Sequence, residues 1–248
     1  MKVMPDPFAP FPNSVFPVDV TYLAAHTNAV TCVLAGRRGP VTIASADQCV
    51  SGDVLLIRPG VEHTVICAHG GADVLYLDGL ALPEGLSFAQ ALEGSLAKIA
   101  SDAVGRGSQA QQELRARVAR GSCACPPAIA AIVCDLATDP MERMTQVELG
   151  QRLNMERTRA LRYFKAATGQ TFRGYKQWAG LQFAARGMMR GESVRTAAMD
   201  AGFSDTAHLS RTFRHIFGLT PSVAIAALTP ATPCHAAPSQ VGSSRNVA

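Results

Sequence analysis

Two clusters of cationic side chains, each set beside a tight turn, are the residues best equipped for chemistry in this sequence. Arg157, Arg162 and Lys165 form one, and Arg211 and Arg214 form the other. A guanidinium presents five donors in a planar fork that fits phosphate oxygens or the O6/N7 edge of guanine. An ammonium is a compact charge suited to phosphate. The chemistry on offer is recognition of a nucleic acid, and no residue is assigned a catalytic role.

Such side chains read a duplex only if rigid elements aim them. Thr145 and Glu148 have the spacing of a capping box, which starts a helix over residues 147–153. Asn154-Met155 makes a turn, and Glu156 opens a second helix, Arg157 to Ala167, that stops at Gly169. Ala160, Tyr163 and Phe164 share one face of it, leaving Arg157, Thr158, Leu161, Arg162 and Lys165 toward the other. The arrangement repeats. Ser193 caps Val194–Ala201, Gly202-Phe203 turns the chain, and Ser204 caps a helix running to His215, with Gly218 as its stop. There Leu209, Phe213 and Phe217 face inward, while Thr206, His208, Arg211 and Arg214 face outward. Each repeat has the parts of a helix-turn-helix unit. Residues 172–190 between them read as one connecting helix, about 28 Å long at 1.5 Å per residue. That is comparable with the ~34 Å between successive major-groove faces of B-DNA. Gly180 and Gly187 lie inside it, and Ala at either is expected to raise thermal stability.

Charge follows the same division. Residues 1–125 hold nine Lys/Arg against eleven Asp/Glu, and residues 126–228 hold thirteen against eight, with Arg245 beyond. A basic module beside a near-neutral one is the electrostatic footprint of a nucleic-acid-binding domain. The 248 residues suffice for two domains with separate cores. No long uncharged apolar run exists and the Pro/Phe-rich start lacks a secretory pattern, so the expectation is a cytoplasmic protein without a membrane partner. Seven cysteines without a CxxC pair spell neither a zinc ribbon nor a thioredoxin motif.

The N-terminal half reads as short strands. Val30–Leu34, Val41–Ala44, Val54–Ile57, Thr64–Cys67 and Val74–Leu77 are separated by Gly, Pro, Ser and Asp turns. Two helical stretches follow, Leu86–Ala103 and Gln109–Arg120. The first carries an apolar stripe, Leu86, Ala89, Leu92, Leu96 and Ile99, suited to the strands or to a second subunit.

The pattern Leu149-x3-Leu153, Arg162-x-Phe164-Lys165-x3-Gly169, Tyr175 and Ala184, then Ala198-x3-Gly202-Phe203-Ser204-Asp205-x2-His208-Leu209-Ser210-Arg211-x-Phe213-Arg214-x2-Phe217-Gly218-x-Thr220-Pro221, resembles the DNA-binding domain of the arabinose-regulator (AraC) family over about residues 128–225. The resemblance implies that Thr158, Leu161 and Arg162 on one helix, and Thr206, Ala207 and Arg211 on the other, face base edges. It places Arg157, Lys165 and Arg214 against phosphates, which position without reading sequence. His208 is read as a packed or capping histidine. The sequence departs from the family at Gly180, Gly187 and Ala224-Ile225.

Gly52-Asp53-x5-Pro59-Gly60-x2-His63 resembles half of a cupin motif. A metal-binding cupin, the enzyme alternative, needs a His-x-His pair from preceding strands, and residues 21–44 offer only His26. No metal or cofactor is therefore expected, and His63 is read as a turn or effector-pocket histidine. Cys123-x-Cys125 near the hinge is read as two linker thiols without an assigned sensing role. The chain is expected to be α+β with two domains: a small cupin-like β-barrel plus helices, then an all-α domain with two helix-turn-helix units on a connecting helix. The expected boundaries are an arm at 1–17, a sensor and dimerisation domain at 18–121, a linker at 122–127, the DNA-binding domain at 128–228, and a disordered tail at 229–248. The implied activity is regulation of transcription as a homodimer, with double-stranded DNA, a small-molecule effector and RNA polymerase as partners and activation as the common mode.

Overall fold

The computed structural model describes residues 15–228 apart from 68–69, 79, 81, 83–86, 107, 119–125 and 141–143. Cys123, Cys125 and the segment 229–248 lie outside the described residues. Nine strands come first: β1 (Val15–Val18), β2 (Tyr22–Thr27), β3 (Thr31–Gly36), β4 (Val41–Ala44), β5 (Cys49–Gly52), β6 (Val54–Ile57), β7 (Glu62–Cys67), β8 (Ala72–Leu77) and β9 (Ala89–Ala91). They form two antiparallel sheets, ordered β1-β8-β3-β6-β9 and β2-β7-β4-β5, in a cupin-like arrangement.

The five runs marked by β-branched residues are all strands. Four others are not marked that way. Val15–Val18, whose first three residues were expected to end an N-terminal arm, pairs with β8 in the register Val15 to Leu75 and Val18 to Ala72. The helix expected from Leu86 starts only at Gly94. Ala89–Ala91 pairs instead with β6, Ala89 opposite Ile57, and the Leu92 N–H donates to the Val54 carbonyl at 2.9 Å.

Two helices, α1 (Gly94–Arg106) and α2 (Ser108–Val118), cover the outer face of the first sheet. That sheet is thus buried on both sides, which turns β3 and β6 into continuous apolar runs. Cys32, Leu34, Leu55 and Ile57 point between the sheets, whereas Val33, Val54, Leu56 and Leu75 meet Ala100, Ala103 and Leu114 of the helices. Leu96 and Ile99 pack partly buried on this second cluster, so their stripe serves the chain itself.

Seven helices follow: α3 (Pro127–Thr138), α4 (Gln146–Leu153), α5 (Arg157–Thr168), α6 (Phe172–Met189), α7 (Val194–Asp200), α8 (Thr206–Phe217) and α9 (Pro221–Leu228). A cluster built from α3, α4, α5 and the first turns of α6 encloses Ile129, Leu149, Phe164, Phe172 and Tyr175. The later turns of α6, with α7 and α8, share one buried cluster with the interior of the barrel. Among the described residues no helix is long and apolar enough to cross a membrane.

Two of the three α6 glycines, Gly180 and Gly187, face neighbours of different kinds, a backbone carbonyl and the movable end of a side chain. A Cβ on Gly180 would stand 3.1 Å from the Ala201 carbonyl oxygen, in the turn between α7 and α8. One on Gly187 would stand 2.3 Å from a Glu192 carboxyl oxygen. The expected stabilisation by Ala at Gly180 is opposed by this contact, because the missing Cβ lets the second unit seat against the rod.

Candidate nucleic-acid interface

Local capping chemistry fixes both units. Thr145 Oγ1 accepts from the Glu148 N–H at 3.2 Å while Glu148 Oε2 accepts from the Thr145 N–H at 2.6 Å, the full capping box. Asn154 ends α4 in the left-handed region at φ 50°, which an Asn side chain tolerates well. Glu156 then caps α5, accepting from the N–H groups of Thr158 at 2.8 Å and Arg159 at 3.2 Å. In the second unit Ser193 caps α7 as expected. The cap of α8 is Asp205, which accepts from the His208 N–H at 2.6 Å, in place of the expected Ser204. Ser204 instead donates to the Asp205 carboxyl at 3.1 Å, a contact that displaces it from the capping position by one residue.

These caps are ionised. The backbone N–H of Thr145 holds the Glu148 carboxyl below the usual carboxylate range, that of Thr158 does so for Glu156, and that of His208 for Asp205. The Thr158 and Arg159 amides of α5 and the His208 amide of α8 are already committed to carboxylates, which weakens each helix end as an anion site.

On α5, Ala160, Phe164 and Thr168 form the buried stripe, and Arg157, Thr158, Arg162 and Lys165 are exposed. Leu161 is half-buried against the core of the first unit. On α8, Leu209, Thr212, Phe213, Ile216 and Phe217 are buried, and Thr206, Ala207, Arg211 and Arg214 are exposed. His208 is half-buried, its ring edge-on to Phe203 at 5.2 Å with Nδ1 3.2 Å from Ser204 Oγ. Arg159 and Arg195 are further exposed arginines on α5 and α7. Sequence reading passed over both, although Arg159 adjoins Thr158 and needed only the same test of facing.

The seam between barrel and second unit is aromatic. Tyr76 lies edge-on to Trp178 at 5.2 Å and to Phe217 at 5.6 Å, and Phe16 stands 6.0 Å from Tyr76. The Ala24 N–H donates to the carbonyl of Gly218, the C-cap of α8, at 3.2 Å. Beside these rings is a cavity of about 480 Å³ counted out to its mouth, lined by Phe16, Leu23, Val74, Tyr76, Phe213 and Phe217, among others. His63 is not part of that lining. It is buried in the barrel, donating from Nδ1 to the Val61 carbonyl at 2.8 Å, with its ring 4.5 Å from that of His26. Burial, then the neighbouring His63, lowers the His26 pKa to about 4. Burial also lowers that of His63. Among the described residues no group of three or more His, Cys, Asp or Glu is placed to hold a metal ion.

A family model described as a helix-turn-helix domain matches residues 149–226, the span from α4 to α9. No curated protein matches the sequence. The fold is similar to that of ToxT from Vibrio cholerae. The apo K231A form of that protein superposes with a TM-score of 0.59 at 13% identity, covering 87% of this chain and 96% of that one. ToxT bound to (E)-4-(8-methylnaphthalen-1-yl)but-3-enoic acid gives 0.57 at 12% identity, over 87% and 97%. ToxT bound to an unsaturated fatty acid gives 0.55 at 13%, over 87% and 94%. The likeness extends to the barrel, the joining helices and both units, and at this identity it concerns the fold. With its two capped units on one rod and its matched span, the C-terminal region is a helix-turn-helix domain, a DNA-binding module.

Proposed function

We propose that the protein is a DNA-binding transcription regulator of the AraC type, one chain reading two successive major-groove segments, α5 entering one and α8 the next. The observation that carries this is the facing of the two helices. Each buries one stripe and exposes its arginines opposite, and both hang on α6, whose 18 residues span about 27 Å. Thr158, Leu161 and Arg162 meet base edges in the first segment; Thr206, Ala207 and Arg211 do so in the second. Arg157, Lys165 and Arg214 contact phosphates. The test uses duplexes selected by the full chain from a random pool. Arg162→Ala and Arg211→Ala are each expected to cost about 1–3 kcal/mol and to relax preference at different base pairs. Lys165→Ala should weaken all duplexes alike and reduce the salt slope by about one. Selection that enriches no sequence at moderate salt overturns the reading.

The apolar walls of the cavity at the seam support a response to a small apolar effector, whose body would lie against the rings and extend through the open mouth. Two fold neighbours hold acids with apolar bodies. The lining here is apolar apart from the Tyr76 hydroxyl and offers no cation for a carboxylate. A neutral long-chain alcohol should therefore raise the melting temperature at least as much as the acid of equal length. Leu219→Trp, which fills the cavity, should abolish both shifts.

A further inference from the structure

Asp78 follows the last residue of β8 and is buried at 7% exposure. Its Oδ2 accepts from the Tyr175 hydroxyl at 2.7 Å and from Trp178 Nε1 at 3.3 Å. Its main-chain carbonyl accepts from Arg115 Nη1 of α2 at 2.6 Å. Tyr175 and Trp178 are three residues apart on α6, so both donors project from one side of the rod.

The two rings belong to different cores. Tyr175 lies in the cluster of the first unit, edge-on to Phe164 of α5 at 5.6 Å. Trp178 lies in the cluster shared by barrel and second unit, 5.9 Å from Phe217 of α8. A single oxygen of the sensor domain thus holds one aromatic residue from the core behind each reading helix. Both contacts are directional, whereas the surrounding apolar packing tolerates small rotations and slides. The helix α6 can neither turn nor shift along its axis without losing one of them.

We propose that Asp78 is a positioning residue that fixes the rotation and axial setting of α6 against the barrel, and thereby the base-pair spacing at which the two helices read DNA. This rests on the two-segment reading above. It makes spacing selectivity a property of a residue remote from the reading faces, on the domain that houses the cavity. Loosening the oxygen leaves each helix its own base contacts and removes the constraint between them.

The test is selection from a random duplex pool with the full-length chain, wild type beside Asp78→Ser and Tyr175→Phe. Tyr175→Phe keeps the ring against Phe164 and removes one donor, so it remains informative if Asp78→Ser does not fold. Val54→Ala, a core truncation remote from α6, controls for lost stability. The wild type is expected to enrich two short words at one spacing. Both variants should enrich the same words over several spacings, and their preference for the wild-type spacing over one base pair longer should fall about fivefold or more, a modest coupling between sites. Val54→Ala should keep the wild-type spacing. Two words at unchanged spacing selectivity in both variants overturn the role of Asp78 alone. A single word for the wild type overturns the two-segment reading and the positioning role with it. Equal broadening by Val54→Ala reduces the effect to stability and also overturns the role.

Discussion

The two helix-turn-helix units share side-chain N-caps, second helices of 12 residues and a glycine stop, yet they are completed differently. The first closes around its own cluster, with α3 supplying Ile129 and Leu136 behind Phe164. The second has no such cluster: Phe213 and Phe217 reach into the ring stack of the barrel. One motif therefore has a cluster of its own and the other is finished by the barrel. If the barrel senses an effector as proposed, the shared core couples it to the second unit directly, and α6 links it to the first.

The largest expected effect tests that asymmetry directly. Phe164→Ala and Phe217→Ala should each cost about 3–5 kcal/mol, the usual loss for a large core ring. Their reach should differ. Phe217→Ala should speed amide hydrogen exchange in β2 and β8 as well as in α8, whereas Phe164→Ala should leave the strands protected. Equal loss of strand protection would erase the distinction between the units.

The glycine stops sharpen it. Gly169 and Gly218 end α5 and α8 at φ 76° and 73°, so Ala at either should cost about 1–2 kcal/mol from backbone conformation. At Gly169 the nearest atom to a Cβ is the Leu80 carbonyl oxygen, at 3.9 Å. At Gly218 it would meet His26 Nδ1 at 2.6 Å and the Ala24 carbonyl oxygen at 2.8 Å. Crowding of that kind adds about 1–3 kcal/mol, so denaturant melts should show Gly218→Ala as the more damaging change.

Acid should strain the second unit's seat more than the first. His26, at 3% exposure, has a folded pKa of about 4 against 6.5 in the open chain. The unfolded chain binds the extra proton, so stability is full above about pH 6.5 and declines as pH falls toward 4. Between pH 7 and 5.5 the loss amounts to about 1 kcal/mol. It should shrink in His26→Gln, read from melts at both pH values. The smallest effect is at Gly180, where the helix gain of about 1 kcal/mol from Ala is offset by the Ala201 carbonyl. Its melting temperature should not rise.

What could be read from the sequence was whatever local chemistry writes. The Thr145 and Ser193 caps, the Asn154 turn and the two glycine stops need only neighbours within a few residues, and they located α4, α5, α7 and α8. Pairings made at long range left weaker marks. Ala89-Gln90-Ala91 has no β-branched residue and falls in helical register with Leu92 and Leu96, yet β6 recruits it as an edge strand. Ser204 and Asp205 both suit an N-cap, and one contact decides between them. Asp78 resembles an ordinary turn residue after a strand, since its two partners lie 97 and 100 positions later. The exposed arginines were legible because amphipathic spacing fixes their facing. The cavity was not, because its walls are apolar residues drawn from β1, β2, β8, α6, α8 and the residues that follow α8.

The ring stack at the seam bears on how this chain can be taken apart. A fragment cut loose ahead of Pro127 would leave Trp178, Phe213 and Phe217 facing water, and it should clump or need a substitute lid. Grafting a foreign receiver onto this reader would succeed only if the donor brings its own counterparts to Phe16 and Tyr76, so modularity in this chain ends at the level of the gene.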